Sequence, residues 1–371
     1  MSLAFTEPQE ELRTVVRQFL ERKSDEAEVR RLMETEDGFD RDVWTQMATQ
    51  LGLQGLIIPE EYGGQGFGHL ELAVVLEEMG RRLLCAPFFS TVVLATNTLL
   101  LGGDEAACAA HLPGIASGDT IAALAFVERS GSWDPDTAEA TATATDDHWT
   151  LNGEKWFVLD GHVADLLIVS ARTDEGISLF AVERGAVGLA TVPLQTMDQT
   201  RKQASIVLSD TPAQLIGEPG TGGEVLRDVL DLAAVALAAE QVGGTQVTLD
   251  MAVEYAKVRV QFGRPIGSFQ AIKHKCADML LHTESARSAA LYAGRCAADG
   301  SDELPVVASL AKAYCSEAYF HNAAENIQVH GGIGFTWEHP AHLYFKRAKS
   351  SELLFGDPTY HRGLMADRLE I

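Results

Sequence analysis

The sequence predicts a mostly helical protein interrupted by a β domain. An N-terminal helical domain covers residues 1–118, a small β-barrel or sandwich 119–216, and a C-terminal four-helix bundle 217–371. Three observations carry this prediction. Apolar residues recur at helical spacing up to about Gly118, strand signals crowd the stretch from Asp119 to Ile216, and the helical period returns at Gly223 and persists to the end.

Taken in order, Leu12, Val15, Val16, Phe19 and Leu20 make one apolar stripe, the pattern of a half-buried helix. Pro59 to Gly68 (PEEYGGQGFG) reads as a Gly-rich loop, and a second apolar helix follows from about Glu71 to Arg82, with a break at Pro87. In the middle zone Thr141–Thr145, Trp149–Leu151, Leu166–Ser170, Ile177–Val182 and Gln203–Leu208 read as strands. Asn152-Gly153 predicts a tight hairpin there, and a further turn falls at Asp174-Glu175-Gly176. Leu226 to Val258 is then apolar over many turns, rich in Ala and interrupted only at Gly243-Gly244, as expected of a bundle helix.

Composition narrows the function. The chain has 371 residues, 46% of them hydrophobic and 22% charged, with a formal net charge of −24. That charge repels a phosphate backbone or an anionic bilayer, which disfavours nucleic-acid and membrane-surface roles. It leaves room for a small anion held by local arginines. No apolar run approaches the ~20 residues of a membrane span, and Met1-Ser2-Leu3-Ala4-Phe5 carries no leader pattern. Five cysteines without close pairing suit reduced thiols and a cytoplasmic location. The histidines show no H-E-x-x-H spacing, so no metal site is expected.

Two segments could carry chemistry. In Tyr255 to Gln270 (YAKVRVQFGRPIGSFQ) a helix is expected to end at Phe262-Gly263 and the next to open at Phe269-Gln270. Such a corner presents Arg259 and Gln261 as a phosphate grip, or simply places basic residues at a helix end where the dipole favours them. The second segment is Gln328-Val-His-Gly331-Gly332-Ile-Gly-Phe335. Its glycines permit close approach of a ligand or form a tight interhelical turn.

Together these segments resemble the C-terminal domain of the acyl-CoA dehydrogenase family, and Pro59-Glu60-Glu61-Tyr62-Gly63-Gly64 is similar to that family's N-terminal loop. The resemblance runs over essentially the whole chain and implies FAD lying at a subunit interface of a homo-oligomer or heterotetramer. It implies an acyl-CoA substrate and an electron-transfer flavoprotein-type acceptor. It also implies that Arg259, Gln261, Phe262, Gln328, Gly331 and Gly332 grip the adenine–pyrophosphate part of a flavin bound mainly by the neighbouring subunit.

Elsewhere the family pattern is broken. The reaction needs a carboxylate over the acyl α-carbon. The family's Tyr-Glu-Gly-Thr segment is here Leu354-Phe355-Gly356-Asp357, which puts Phe355 at the base position. The alternative Asp-Leu-Glu-Arg segment is Asp231-Leu232-Ala233-Ala234. A flavin-bordering threonine becomes Val127 in Val127–Asp134, and a second becomes Leu159 in Phe157–Gly161; each lost hydrogen bond is worth roughly 1 kcal/mol. Similar actinobacterial enzymes acting on sterol side chains are heterotetramers with one base-lacking subunit type, so the chain is expected to be such a partner subunit. Alternatives are a self-sufficient enzyme with a displaced base, and a silent thioester-binding or scaffold protein. The displaced base would be Glu240 or Asp357. Glu240 follows Ala233 by seven residues on one helix face, ~10 Å along the axis; Asp357 follows Phe355 by two.

Overall fold

A computed structural model describes residues 5–145 and 148–371, so the first four residues of the leader reading lie outside it. The chain opens with α1 (Glu7–Lys23), α2 (Glu26–Met33), α3 (Arg41–Leu51) and α4 (His69–Arg81). A buried π-helical segment, Phe89–Ala95, leads into α5 (Thr96–Leu101) and α6 (Glu105–Ala116). Seven strands follow: β1 (Ala122–Ala125), β2 (Thr141–Ala144), β3 (Trp149–Leu159), β4 (Leu166–Thr173), β5 (Gly176–Glu183), β6 (Leu189–Leu194) and β7 (Gln203–Ile216). After α7 (Gly222–Val258) come the short strands β8 (Val260–Gln261) and β9 (Arg264–Pro265), then α8 (Gln270–Asp299), α9 (Leu304–His330), α10 (Ala341–Leu353) and α11 (Pro358–Arg368). The expected mostly helical architecture with a small β domain is what the molecule has.

The chain forms two compact units. One gathers residues 1–30, 69–84 and 234–371; the other gathers 31–68 and 85–233. In the second unit the strands run β1-β4-β2-β3-β7-β5, and β5 also pairs with β4, so the sheet closes on itself. Its interior is a cluster of alternating inward residues, among them Leu151, Val169, Phe180 and Ile206, the arrangement that closure produces.

The expected hairpin at Asn152-Gly153 is not a turn. Both residues lie inside β3, at a register shift opposite β7. Asn152 exchanges hydrogen bonds with Asp210 (3.0 and 2.9 Å), and a Cβ on Gly153 would press within 2.7 Å of Ala140. A glycine inside a strand marks a bulge and close backbone approach as readily as a turn. The β2–β3 connection is instead closed by Thr145, whose N–H donates to His148 O at 2.8 Å.

In the helical unit, α1 buries Val16, Phe19 and Leu20, while Val15 faces solvent. Arg13 of α1 and Arg287 of α8 both pair with Glu77 of α4. Burial works against the Glu77 charge, yet the two guanidiniums hold its carboxyl below the ordinary range. Gly243-Gly244 does not interrupt α7. A Cβ on Gly243 would collide with the Glu77 carbonyl, and one on Gly244 with the Tyr319 ring. At these glycines α7 is pressed by α4 on one side and by α9 on the other.

Candidate functional site

The first segment differs from expectation at its helix end. α7 stops at Val258, not at Phe262-Gly263. Arg259 N–H still donates to Tyr255 O (2.9 Å), and Ile266 N–H reaches back to Arg259 O (2.8 Å). Between them Val260 pairs with Pro265 and Gln261 with Arg264. Phe262 (φ 52°) and Gly263 (φ 77°) form the turn, both left-handed as a two-residue hairpin requires. Val258 and Val260 favour extended backbone, which helps end the helix early. The left-handed form costs a phenylalanine about 1–2 kcal/mol, and its ring is 91% exposed, edge-on to Phe269 at 6.0 Å.

The second segment lies beside the first. Gln328 is in the last turn of α9, Gly331 caps the helix at φ 63°, and a Cβ on Gly332 would meet nothing within 4 Å. Val329 packs into a cluster with Ala252, Ala256 and Met279, flanked by Ile266. The His330 ring stacks on Tyr255 with centroids 4.2 Å apart, and burial lowers its pKa. The fold thus brings Arg259, Gln261, Phe262, Gln328, Gly331 and Gly332 into one region, all six exposed. A guanidinium, two carboxamides and an open glycine turn are a donor set suited to phosphate oxygens and a purine edge. If Arg259 holds a flavin phosphate, as the resemblance implies, Arg259→Ala should weaken FAD retention by roughly 1.5–3 kcal/mol, one charge-assisted contact. Flavin released on dilution measures this, and unchanged occupancy would remove Arg259 from the site.

The two displaced-base candidates have structural duties. Glu240, 5% exposed, accepts a hydrogen bond from Arg347 Nη1 at 3.0 Å, and Arg347 of α10 is itself buried. Asp357 caps α11, its Oδ1 accepting from Tyr360 N–H at 2.8 Å. Phe355 is buried in a left-handed turn at φ 61°, followed by Gly356 at φ 107°. His361 Nε2 lies 3.1 Å from Phe355 O. Burial and the nearby Lys312 push the His361 pKa down to about 3, so the neutral ring donates to that carbonyl. Ala233 is fully buried in α7.

In the other unit, Val127 and Leu159 are both buried and present only carbon. The loop that begins at Val127 is firmly held. Trp156 N–H donates to Val127 O at 2.8 Å, and the fully buried Lys155 reaches Glu128 Oε1 at 2.7 Å. Glu128 also accepts the N–H groups of Glu139 and Ala140. Burial alone would raise the Glu128 carboxyl, but the Ala140 N–H and Lys155 hold it below its ordinary value. Lys155, Lys312 and Arg347 escape sequence reasoning: Lys312 alone sits in an otherwise apolar run, while Lys155 follows Glu154 and Arg347 lies between Lys346 and Lys349. Among the described residues, no group of three His, Cys, Asp or Glu could hold a metal ion, and no helix is long and apolar enough to cross a membrane.

Comparison with known proteins adds the family. Models of the acyl-CoA dehydrogenase N-terminal, middle and C-terminal domains match residues 6–119, 123–210 and 220–370. The chain is 37% identical over 355 residues to acyl-CoA dehydrogenase IpdE2 of Mycobacterium tuberculosis, covering 95% of each. Among solved structures it resembles the ChsE4–ChsE5 complex from Mycobacterium tuberculosis, with a TM-score of 0.91, 30% identity and coverage of 100% and 99%. It also resembles the Tcur3481–Tcur3483 steroid ACAD G363A variant, with a TM-score of 0.89, 31% identity and coverage of 98% of each chain.

Proposed function

The chain belongs to the acyl-CoA dehydrogenase family of FAD-dependent oxidoreductases, and from that premise we propose that it is the base-lacking half of a heteromeric enzyme. Its substrate is an acyl-CoA thioester. The observation that carries the reading is an asymmetry. The exposed corner around Arg259 and Gln328 keeps its full donor set, while Phe355 and Ala233 occupy the positions where the family draws its carboxylate. Glu240 and Asp357, the nearby substitutes, are committed to Arg347 and to the α11 cap.

FAD, when bound, accepts the hydride that leaves the acyl β-carbon. The residues of this chain that would hold it are Arg259 and Gln261 toward the pyrophosphate, with Gln328 and the Gly331-Gly332 turn beside them. Proton removal from the α-carbon then falls to a glutamate of the second subunit type. One similar structure is of a steroid enzyme and another is of a two-component complex, which supports a heteromer acting on a sterol-derived acyl group. An electron-transfer flavoprotein-type acceptor completes the reaction.

The exposed rings of Phe262, Phe335 and Trp337 fit coverage by another subunit. Co-expression with a glutamate-bearing subunit is expected to yield a tetramer holding fewer flavins than subunits, counted by absorbance after denaturation. A monomer in sedimentation at micromolar concentration, alone and with the second subunit, would contradict the reading.

A further inference from the structure

Lys312 lies in the core of the helical unit with no exposed surface. It sits on α9 in the run Ala308-Ser-Leu-Ala-Lys-Ala-Tyr314, where a charge is costly unless its hydrogens are all received. They are. Nζ is 3.1 Å from Ser316 Oγ, 3.1 Å from Glu352 O and 2.8 Å from Gly356 O. Ser316 is held in turn by the Gln241 side chain of α7 at 3.0 Å.

The two carbonyls identify what Lys312 holds. Glu352 is in the last turn of α10, where carbonyls lack helical partners and favour a cation. Gly356 belongs to the turn that joins α10 to α11. That turn has two successive left-handed residues, Phe355 and Gly356, and a phenylalanine keeps such a conformation only where its surroundings over-determine it. His361 holds the carbonyl of Phe355 and Lys312 that of Gly356. Consecutive carbonyls are thus gripped from two different helices.

We propose that Lys312 is a positioning residue, which with Ser316 and His361 sets the backbone of the Leu354–Asp357 turn and so fixes how the side chain at position 355 is presented. This rests on the family correspondence that puts position 355 at the reacting carbon, and not on the identity of any partner subunit. It explains why a turn without a catalytic carboxylate keeps a buried ammonium beneath it: in this chain the turn seats a phenyl group in the shape a base would occupy.

A proton is at stake in this contact. Burial pushes Lys312 down to about 7, against the pull of Glu352, Cys315 and Asp357. His361 is neutral, as its pKa near 3 requires, and α7 contributes the uncharged Gln241. Below about pH 7 the ammonium donates three hydrogen bonds; above it the amine has two hydrogens and no charge, so the turn is held less firmly.

Phe355→Trp provides the readout, with far-UV circular dichroism confirming the fold. The chain already has five tryptophans, so the introduced indole is read as the difference in emission between Phe355→Trp and the parent at each pH. That difference is expected to shift to the red as pH rises through about 7. Lys312→Met in that background should give the red-shifted emission at every pH and abolish the titration. Emission in Lys312→Met identical to the parent, at low and high pH, would overturn the proposal. Should Lys312→Met fail to fold, Ser316→Ala in the Phe355→Trp background decides: loss of the hydroxyl that receives Lys312 should shift the introduced indole's emission to the red, and unchanged emission overturns the proposal. None of these readings needs turnover, so a negative result here leaves the base-lacking reading standing.

Discussion

Phe355→Glu is expected to raise acyl-CoA desaturation by the FAD-loaded protein by about 10²–10⁴, the range a positioned general base contributes. The turn that would carry the carboxylate is already in place. Phe355 sits at φ 61°, its carbonyl is held by His361, and Lys312 grips the next one. The substitution changes the side chain and asks nothing new of the backbone. Reduction of an electron-acceptor dye measures the rate, with flavin content determined on the same sample. A rate that stays flat at unchanged flavin content would mean that position 355 does not face the α-carbon. Asp357→Asn, by contrast, should change neither stability nor rate appreciably, because asparagine caps a helix about as well as aspartate.

The second large effect is on stability. Arg347→Leu should destabilise the protein by about 3–5 kcal/mol, because it removes the buried guanidinium that donates to the Glu240 carboxylate. The two side chains are 3% and 7% exposed, so water cannot replace the lost partner. Removing both charges together, as Glu240→Leu with Arg347→Leu, should recover most of that loss, since a buried pair contributes little beyond an apolar replacement of similar volume. Urea denaturation of the three variants checks this. Equal losses for Arg347→Leu and the double variant would show that packing, not the lost guanidinium, sets the cost.

The fold class is legible because its main signals are periodic and local. α1, α4 and α7 declare themselves by apolar spacing, and β4 and β5 by β-branched runs around a turn at Asp174-Glu175. The sequence misleads where a glycine signal has more than one physical meaning. Asn152-Gly153 favours a two-residue turn in isolation, yet the Asn152–Asp210 exchange makes it a bulge. Phe262-Gly263 looks like a helix end and is the tip of a hairpin. β1 is hard to see because Ala122–Ala125 lacks β-branched residues apart from its flanks, and β6 because its residues lack an alternating buried face.

The candidate site is legible in pieces. Arg259 and Gln328 can be singled out by motif, but their adjacency depends on Tyr255 stacking against His330, a contact between helices far apart in the chain. Glu240 stands out as a charge in an alanine-rich helix. Its partner Arg347 lies 107 residues away, and nothing local to either names the other. Lys312 stands out as a charge in an apolar run, but its role is hidden for the same reason: the carbonyls it holds become neighbours only once α9 and α10 pack.

The most direct measurement of the central claim is acyl-CoA desaturation by this chain purified alone, and again when co-purified with a second subunit carrying glutamate at the position of Phe355. FAD and a dye acceptor are supplied in both cases. The chain alone is expected to turn over about 10²–10⁴ more slowly than the mixed assembly, with no change in the mixed rate when Asp357 is replaced by Asn. Robust turnover by the chain alone, abolished by Glu240→Gln or Asp357→Asn, would contradict the base-lacking reading and identify the base within this subunit.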